Sequence, residues 1–368
     1  MDRILIFGMT ENPGGVESFL VNYYHHIDRS RLQFDFLCNS HNPIAYEEDV
    51  KKLGARCFHI TARSENYLKY KKELDAIFEE HAKEWNAIWV NVCSLANIDY
   101  LKVAKKYGIK KRIIHSHNSQ NMDSTLRGIM HRWNRCFLDK YATDFWACSE
   151  DAAKWFFDKR KLKKAVIIHN AIDVDRMKFD NEKRKKIREQ FQWSQKTVIG
   201  NVGRLHFQKN QLFLIEIFEK YHKKNKESVL VLVGAGEDEQ LLKDKVKKLE
   251  LDKSVFFVGL QKDIQAWLSC FDLFLFPSRF EGLSIAALEA QANGVPILAS
   301  EKVIPEEVKM NDNFAFLSLN ENQSAWCSMI DKMLFRGRED FDAVKENFIK
   351  KGYEIATEAQ KLEKLLEK

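Results

Sequence analysis

The stretch that decides the fold is residues 273–300, LFLFPSRFEGLSIAALEAQANGVPILAS. An apolar run at 273–276 is followed by a polar loop, by an apolar helical segment and by a second apolar run at 297–299. Short runs that are apolar on both faces and joined through a helix are typical of parallel strands covered on both sides. The stretch therefore predicts a β-α-β unit of an α/β protein.

The same alternation continues over the whole chain of 368 residues, which is long for one hydrophobic core. We place a boundary near residues 169–173, so that residues 1–172 form a first domain and residues 173–344 a second. The predicted strands of the first half are residues 4–7, 34–37, 88–92 and 112–115, and a second set follows at 166–169, 198–202, 229–233, 255–258, 273–276 and 297–299.

Composition and charge exclude several classes of protein. The net charge of +6 is mild and is typical of a solubilising surface, so we expect no nucleic-acid partner. Attraction to an anionic membrane or to phosphate-bearing substrates is compatible with this charge. The charged run KRKK at 183–186 is interpreted as a solvated helix face. The seven cysteines are scattered and lack CxxC spacing, and the sequence shows no apolar run of 18 residues and no signal peptide. We therefore expect a cytoplasmic protein that is soluble or peripheral on the inner face of the plasma membrane.

Candidate site residues of the first half follow predicted strands. Gly14 and Gly15 lie between a strand and a helix, where backbone N–H groups can approach an anion, and a tight structural turn explains them equally well. His117 follows the strand at 112–115, at the edge where α/β sheets bind ligands, and we favour it as a site residue over a loop-capping role. The role of His115 is left open.

The second half carries a pair of cations in one loop. Arg204 and Lys209 lie between a predicted strand and the helix after it, and two cations beside a helix N-terminus suit a diphosphate. A surface salt bridge is the alternative. Gly234 and Gly236 begin like a dinucleotide-binding loop, but Glu239 stands where the third glycine belongs, so that fingerprint fails.

Two carboxylates flank the start of the helix within 273–300. Glu281 lies in the loop and Glu289 about two turns along the helix. Because the intervening residues are apolar, two solvent-exposed glutamates are the less favoured interpretation. We expect the pair to hold polyol groups well apart, a sugar at one end and a ribose at the other.

In combination these motifs resemble the retaining glycosyltransferases of the GT-B fold in the large bacterial family called family 4 (glycosyltransferase group 1), particularly its exopolysaccharide and capsule enzymes. The Glu281-x7-Glu289 spacing is that family's signature, and the similarity extends through nearly the whole chain. It implies an α/β chain with two Rossmann-like domains that face a central cleft, and a last helix at about 345–368 that crosses back to the first domain. The similarity is carried by residues 14–17, His117, residues 203–205, Lys209, Gly234, Gly236, residues 276–278, Glu281, Glu289 and residues 294–300.

The resemblance also implies roles for individual residues. Arg204 and Lys209 would bind the donor diphosphate, and Glu289 the ribose of the nucleotide. Glu281 and the backbone of Gly282 and Leu283 would hold the transferred sugar, which His117 would reach from the opposite domain. Gly15 would lie beside the phosphates, and Gly14 and Gly234 also belong to the donor-binding set. Gly259 and Leu260 would lie near the base. Residues 170–173 read NAID where the family usually has Asn-Gly-Val-Asp, a departure that puts little in doubt.

The activity implied is retaining transfer of a hexose or N-acetylhexosamine from a nucleoside-diphosphate sugar, a UDP-sugar on family grounds, to a glycan or polyprenyl-linked saccharide in surface polysaccharide biosynthesis. The resemblance implies no cofactor and no metal. Two alternatives remain open: a nucleotide-sugar epimerase of the same fold, and a non-enzymatic basic protein that binds lipid surfaces.

Residues 124–140, STLRGIMHRWNRCFLDK, predict an amphipathic helix with apolar residues on one stripe and basic residues elsewhere. Such a helix can rest on anionic lipid, or it can bury its apolar stripe against the sheet as ordinary helices do. The sequence favours neither interpretation.

Overall fold

The computed structural model describes residues 1–118, 125–281, 283–301 and 306–367, with the backbone alone at Glu307. The chain forms two compact units, one of Met1–Ala171 with Ile355–Lys368, the other of Ile172–Glu354. The first division lies one residue from the predicted boundary. The second lies ten residues beyond the predicted 344.

The first unit is built on a seven-stranded parallel sheet in the order β3-β2-β1-β4-β5-β6-β7. Its strands are β1 (Asp2–Phe7), β2 (Leu32–Cys38), β3 (Cys57–His59), β4 (Ala87–Val92), β5 (Lys111–Ser116), β6 (Asp144–Ala147) and β7 (Val166–Ile167). Its helices before the boundary are α1 (Gly15–His26), α2 (Glu47–Lys52), α3 (Tyr67–His81), α4 (Asp99–Lys106), α5 (Thr125–Phe137), α6 (Glu150–Phe156) and α7 (Lys159–Leu162).

The second unit repeats the plan with a six-stranded parallel sheet in the order β10-β9-β8-β11-β12-β13. Its strands are β8 (Thr197–Val202), β9 (Ser228–Val233), β10 (Val255–Gly259), β11 (Leu273–Phe276), β12 (Ile297–Ser300) and β13 (Phe314–Leu317). Its helices are α8 (Val174–Met177), α9 (Asn181–Gln190), α10 (Gln211–Lys224), α11 (Glu239–Lys248), α12 (Ile264–Cys270), α13 (Ile285–Ala292), α14 (Gln323–Arg336) and α15 (Phe341–Lys351).

The last helix, α16 (Ile355–Leu366), belongs to the first unit and packs against α1 through Ala359 and Leu362. The expectation of one helix over about 345–368 was wrong, because Gly352 adopts the left-handed conformation (φ +76°) that ends α15. Residues 345–354 therefore stay in the second unit.

Three strands were missed by the sequence analysis, namely β3, β6 and β13, all of four residues or fewer. The run at 166–169, which was grouped with the second set of strands, is β7 at the edge of the first sheet. Runs this short carry too little periodicity to be separated from loops, and their pairing is decided by tertiary contacts.

Both sheets are buried on both faces, which explains why their strands read as continuous apolar runs. All six residues of β9 are buried. In β1, Ile4 and Ile6 point into one hydrophobic cluster and Leu5 into another on the opposite face. In the described part of the chain, none of the helices has the length and apolar character that crossing a bilayer requires.

The strand order of each sheet reverses direction at one place. In the first unit this switch point lies between β1 and β4, and in the second between β8 and β11. Loops at the carboxyl ends of two such strands diverge to opposite sides, and the crevice they leave is where open α/β sheets bind ligands. The two crevices are therefore the candidate ligand-binding regions of the two units.

Candidate functional site

The switch point of the second unit is bounded by residues 203–210, which follow β8, and by residues 277–284, which follow β11. Hydrogen bonds join these two loops directly. Gln208 uses both its backbone carbonyl and its side chain, since its oxygen accepts from Arg279 N at 2.8 Å and its Nε2 donates to Phe280 O at 2.9 Å. Asn210 Nδ2 donates to Pro277 O at 3.0 Å. The loops are thus held in one arrangement.

A buried ion pair lies between the joined loops. Lys209 Nζ is 2.7 Å from Glu281 Oε1, and the side chains are only 16% and 6% exposed. The ammonium also lies 5.1 Å from the centre of the Phe276 ring. Lys209 immediately precedes Asn210, which caps the 14-residue helix α10 in a left-handed conformation (φ 58°). Positive charge from the side chain and from the helix N-terminus therefore falls in the same region.

Arg204 lies in the same loop but does not join that pair. Its guanidinium contacts Glu237 at 2.6 Å, and His206 Nε2 lies 3.1 Å from the same carboxylate. The Arg204 and Glu237 side chains are more than half exposed. An exposed ion pair of this kind contributes at most about 1 kcal/mol. A diphosphate could therefore draw Arg204 away from Glu237 at little cost.

Two glycines of this site allow neighbouring backbone segments to approach each other closely. A Cβ on Gly234, whose φ is +137°, would lie 2.0 Å from Gly203 O, and one on Gly236 would lie 2.1 Å from Leu205 O. Only glycine fits such contacts, so these residues bring the loops after β8 and β9 together. Gly259 also has positive φ (+69°), and the Leu260 side chain after it is 81% exposed. Gly282 lies outside the described residues.

Glu289 lies on α13, the helix capped by Ser284, whose Oγ accepts from Ala287 N. Burial raises the pKa of Glu289 to about 7, and the charge of Arg176 offsets only part of that effect. Within the described residues no hydrogen-bond donor contacts this carboxylate. A desolvated acid that lacks donors is poised to accept hydroxyl groups of a ligand. Leu283, on the loop before the helix, packs partly buried against the core of the unit.

Replacing Glu289 with glutamine should stabilise the protein at pH 8. The folded-state pKa of about 7 lies above the ordinary 4.5, so folding favours the neutral acid, and stability is lost as the pH rises through 7. The neutral amide escapes that loss, which amounts to at most about 3 kcal/mol. Urea denaturation at pH 8 and pH 4.5 measures the difference, which should vanish at the lower pH. The exposed Glu321→Gln variant is the control, and a gain that is equal at both pH values would contradict the prediction.

The first unit has a cavity of about 510 Å³ at its own switch point. It lies at the carboxyl ends of β1, β2 and β4, and most of its polar lining comes from Thr10, Glu11, Asn12, Glu17, Asn39 and Asn91. Glu17 is 5% exposed, and its Oε1 accepts hydrogen bonds from the Thr10 backbone N at 3.0 Å and the Thr10 hydroxyl at 2.6 Å. The lining suits a ligand rich in hydroxyl groups.

The glycine loop borders this cavity. Gly14 precedes the first residue of α1, and a Cβ there would lie 2.7 Å from Glu17 Oε2. Gly15 lines the cavity, and no atom lies within 4 Å of the position its Cβ would take. The contact at Gly14 involves only the end of the Glu17 side chain, whereas Gly15 leaves open space beside the helix N-terminus.

His117 is connected to the cavity through Asn91. His117 Nε2 lies 2.9 Å from Asn91 Oδ1, and the amide is oriented by Asn91 Nδ2, which donates to Trp89 O. Burial lowers the pKa of His117 to about 3, so the ring is neutral at physiological pH. Because Nε2 donates to Asn91, Nδ1 is left as an acceptor. His117 can accept a hydrogen bond from a hydroxyl but cannot supply a positive charge.

His115, whose role was left open, is fully buried beneath His117, with ring centres 4.2 Å apart. Its Nδ1 accepts from Trp89 Nε1 at 3.2 Å, and burial holds its pKa well below the ordinary value. Nε2 has no partner among the described residues. His115 therefore supports the ring of His117 from the core.

Sequence reasoning missed several residues that the structure places at the two crevices. Asn91 was overlooked although it is a polar residue within the apolar run of β4. Glu17 was quoted as part of a motif without a role. Phe207 and Phe280 flank the Lys209–Glu281 pair in sequence, are both more than half exposed, and have ring centres 5.9 Å apart. For these two residues, the available signal in the sequence was an aromatic side chain close to a motif residue.

Comparison of this sequence with known proteins finds glycosyltransferases, both by family model and by individual relatives. The family model described as "Glycosyl transferases group 1" matches residues 183–354. EpsF of Bacillus subtilis, which is named as a glycosyltransferase, is 28% identical over 356 residues, covering 93% of this chain and 90% of the relative. An Escherichia coli protein named UDP-Gal:alpha-D-GlcNAc-diphosphoundecaprenol alpha-1,3-galactosyltransferase is 26% identical over 306 residues, covering 78% and 76%.

Solved structures show the same fold. HepE of Anabaena in complex with UDP has a TM-score of 0.77 at 16% identity, with 100% of both chains covered. Its complex with UDP-glucose has a TM-score of 0.73 at 18% identity, with 99% of both chains covered. Residues 183–354 are therefore a group 1 glycosyltransferase domain, and the chain is a glycosyltransferase with the two parallel-sheet, Rossmann-like domains of the GT-B fold.

Proposed function

We propose that this chain is a retaining glycosyltransferase of family 4 that transfers a hexose or N-acetylhexosamine from a UDP-sugar to a polyprenyl-linked saccharide or glycan during surface polysaccharide biosynthesis. The buried Lys209–Glu281 pair at the switch point of the second unit carries this proposal. The complexes of HepE with UDP and UDP-glucose support the choice of donor. The name of the E. coli relative, which specifies a diphosphoundecaprenol-linked sugar, supports the choice of acceptor.

The second unit would bind the donor through complementary charges. When the bond from the sugar to the diphosphate breaks, negative charge grows on the departing phosphate. Lys209, the N-terminus of α10 and Arg204 would stabilise it there, where electrostatic catalysis is most effective. Because these groups supply the positive charge, we propose that the reaction needs no divalent metal.

Two carboxylates would hold the ends of the donor. Glu281 would share its oxygens between Lys209 and hydroxyl groups of the transferred sugar. Glu289 would accept hydrogen bonds from the ribose hydroxyls, which stabilise its charged form and lower its raised pKa on binding. The exposed rings of Phe207 and Phe280 offer an apolar surface against which a sugar ring can pack.

The first unit would bind the acceptor in the cavity of about 510 Å³. Asn91, Thr10 and Glu17 offer donors and acceptors for sugar hydroxyls, and His117 accepts through its neutral ring. A neutral imidazole with a pKa of about 3 is a poor base. We therefore propose that the departing phosphate itself takes the proton of the attacking hydroxyl on the same face of the sugar, which gives retention.

A panel of nucleotides tested for protection against thermal unfolding checks the donor. At a concentration 100 times its Kd, UDP or the correct UDP-sugar should stabilise the protein by about 2.7 kcal/mol. ADP, CDP and GDP are the matched controls, and Glu289→Ala should lose the protection because the ribose contact is removed. Protection by GDP rather than UDP would contradict the uracil assignment, and protection by none of them would contradict the donor site.

Incubation with a UDP-sugar alone separates transfer from epimerisation. A glycosyltransferase releases UDP quickly only when a saccharide acceptor is added, and chromatography of the reaction measures that release. An epimerase would convert the donor into a second UDP-sugar without any acceptor, and that product would overturn the proposal.

A further inference from the structure

Helix α5 exposes an apolar stripe. Leu126, Ile129, Trp133 and Phe137 are each between 47% and 68% exposed. Their spacing of three, four and four residues places them on one face of the helix. The interpretation in which α5 buries its apolar stripe against the sheet is therefore wrong.

The opposite face fixes α5 to the first unit. Gly128, His131 and the following Leu138 are buried. Leu95 N donates to His131 Nδ1 at 3.0 Å, and Asn134 Nδ2 donates to Leu95 O at 2.7 Å. The helix is thus docked through small and polar residues, and the four apolar side chains of the stripe are directed to solvent. Contiguous exposed apolar residues of this kind mark interaction surfaces.

Positive charge flanks the stripe on α5, and the stretch of chain that begins with this helix is basic. Residues 125–164 contain ten Lys and Arg against five Asp and Glu, a net charge of +5 within a chain whose total is +6. Arg127 and Arg132 are exposed, and at 100° per residue they fall on either side of the stripe. Asp139, an acid near the end of α5, is 2.8 Å from Lys161 and contributes no unpaired negative charge.

We propose that α5 docks the first unit onto an anionic lipid bilayer, with its apolar stripe in the boundary between headgroups and acyl chains and with Arg127 and Arg132 at the lipid phosphates. An apolar row that includes Trp and Phe and is flanked by Arg is the composition of helices that lie in that boundary. A stable protein interface engages some 20–30 residues a side, far more than this single row. The bilayer is therefore the occupant that both the size and the charge of the surface fit.

Docking at this position would keep the acceptor cavity of the first unit near a lipid-linked saccharide. Binding to lipid and the transfer reaction are measured separately. A protein that transfers sugar without binding lipid would contradict only the docking proposal, and a protein that binds lipid without transferring sugar would contradict only the proposed function.

Sedimentation of the full chain with vesicles tests the docking surface. The chain should bind vesicles containing phosphatidylglycerol far more strongly than vesicles of phosphatidylcholine alone, and 0.5 M salt should weaken that binding. Arg132→Glu and Trp133→Ser should each lower the partition coefficient by about tenfold or more. Arg135 is unsuitable for this test because its guanidinium donates to Lys154 O and Phe157 O within the unit.

Matched controls lie in the second unit. Phe335→Ser removes an apolar side chain that is 93% exposed, and Lys248→Glu reverses an exposed charge. Both should leave vesicle binding unchanged, and UDP release with a soluble acceptor should be normal in the α5 variants. Failure of the native chain to bind anionic vesicles, equal binding by the α5 variants, or a dimer that Trp133→Ser dissociates would each overturn the proposal.

Discussion

Replacing Lys209 with alanine should lower the rate of glycosyl transfer by at least about 10²–10³-fold. The proposed role of Lys209 is to stabilise charge that develops on the departing phosphate, and its ammonium is held 2.7 Å from Glu281 at the N-terminus of α10. Removing a group that acts mainly in the transition state lowers kcat more than it raises KM. Steady-state measurement of UDP release with a saccharide acceptor gives both constants.

The control for this prediction is a second ion pair in the same unit. Lys245 Nζ lies 2.7 Å from Glu216 Oε1, at a distance similar to that of the Lys209 pair, but both side chains are more exposed. Lys245→Ala should leave transfer nearly unchanged. A folded Lys209→Ala protein with a rate near that of the native chain would show that the lysine is structural and would remove the central support of the proposed function.

The order of strands and helices could be predicted from the sequence wherever a strand is long and buried on both faces. The buried runs of β1, β4, β8 and β9 were located to within two residues, because buried parallel strands are continuously apolar. Shorter strands such as β3 and β13 were missed. The switch points were not predicted either, since strand order depends on contacts that no local pattern encodes.

The charged run at 183–186 shows why side-chain partners are harder to predict. Lys185 and Lys186 are exposed, as expected for a solvated helix face. Arg184 is not, because its Nη1 donates to the carbonyls of Ser269 and Cys270 at 3.0 Å and its other nitrogen pairs with Asp272. The expectation was wrong for this residue, since composition alone does not distinguish a solvated arginine from one that caps another helix.

The site shows the same limit. Lys209 and Glu281 were both candidate site residues, but the sequence analysis grouped Lys209 with Arg204 and Glu281 with Glu289. It did not predict the direct contact between Lys209 and Glu281. Arg204, expected beside Lys209, instead pairs with Glu237. The contact between Lys209 and Glu281 arises because β8 and β11 are neighbours in the sheet although some 70 residues separate the two side chains in sequence.

Breaking the contact between Lys209 and Glu281 should also have a large effect on the stability of the second unit. Glu281→Gln should destabilise the second unit by about 3 kcal/mol, because Lys209, only 16% exposed, would keep its charge without a partner. The double variant Lys209→Met/Glu281→Gln should recover most of that loss, since no buried charge is left and the methionine can still pack on Phe276. Hydrogen exchange of amides in β8 and β11, followed by mass spectrometry, reports the stability of this unit separately.

The double variant also separates stability from chemistry. If the pair served only to hold the two loops together, restored stability would bring restored transfer. If the lysine and the glutamate contact the donor, the double variant should recover most of the lost stability and still lack activity, because neither the phosphate nor the sugar finds its partner. Single variants whose losses of stability simply add in the double variant would mean that the two side chains are not coupled, and the preorganised pair on which the mechanism depends would have to be abandoned.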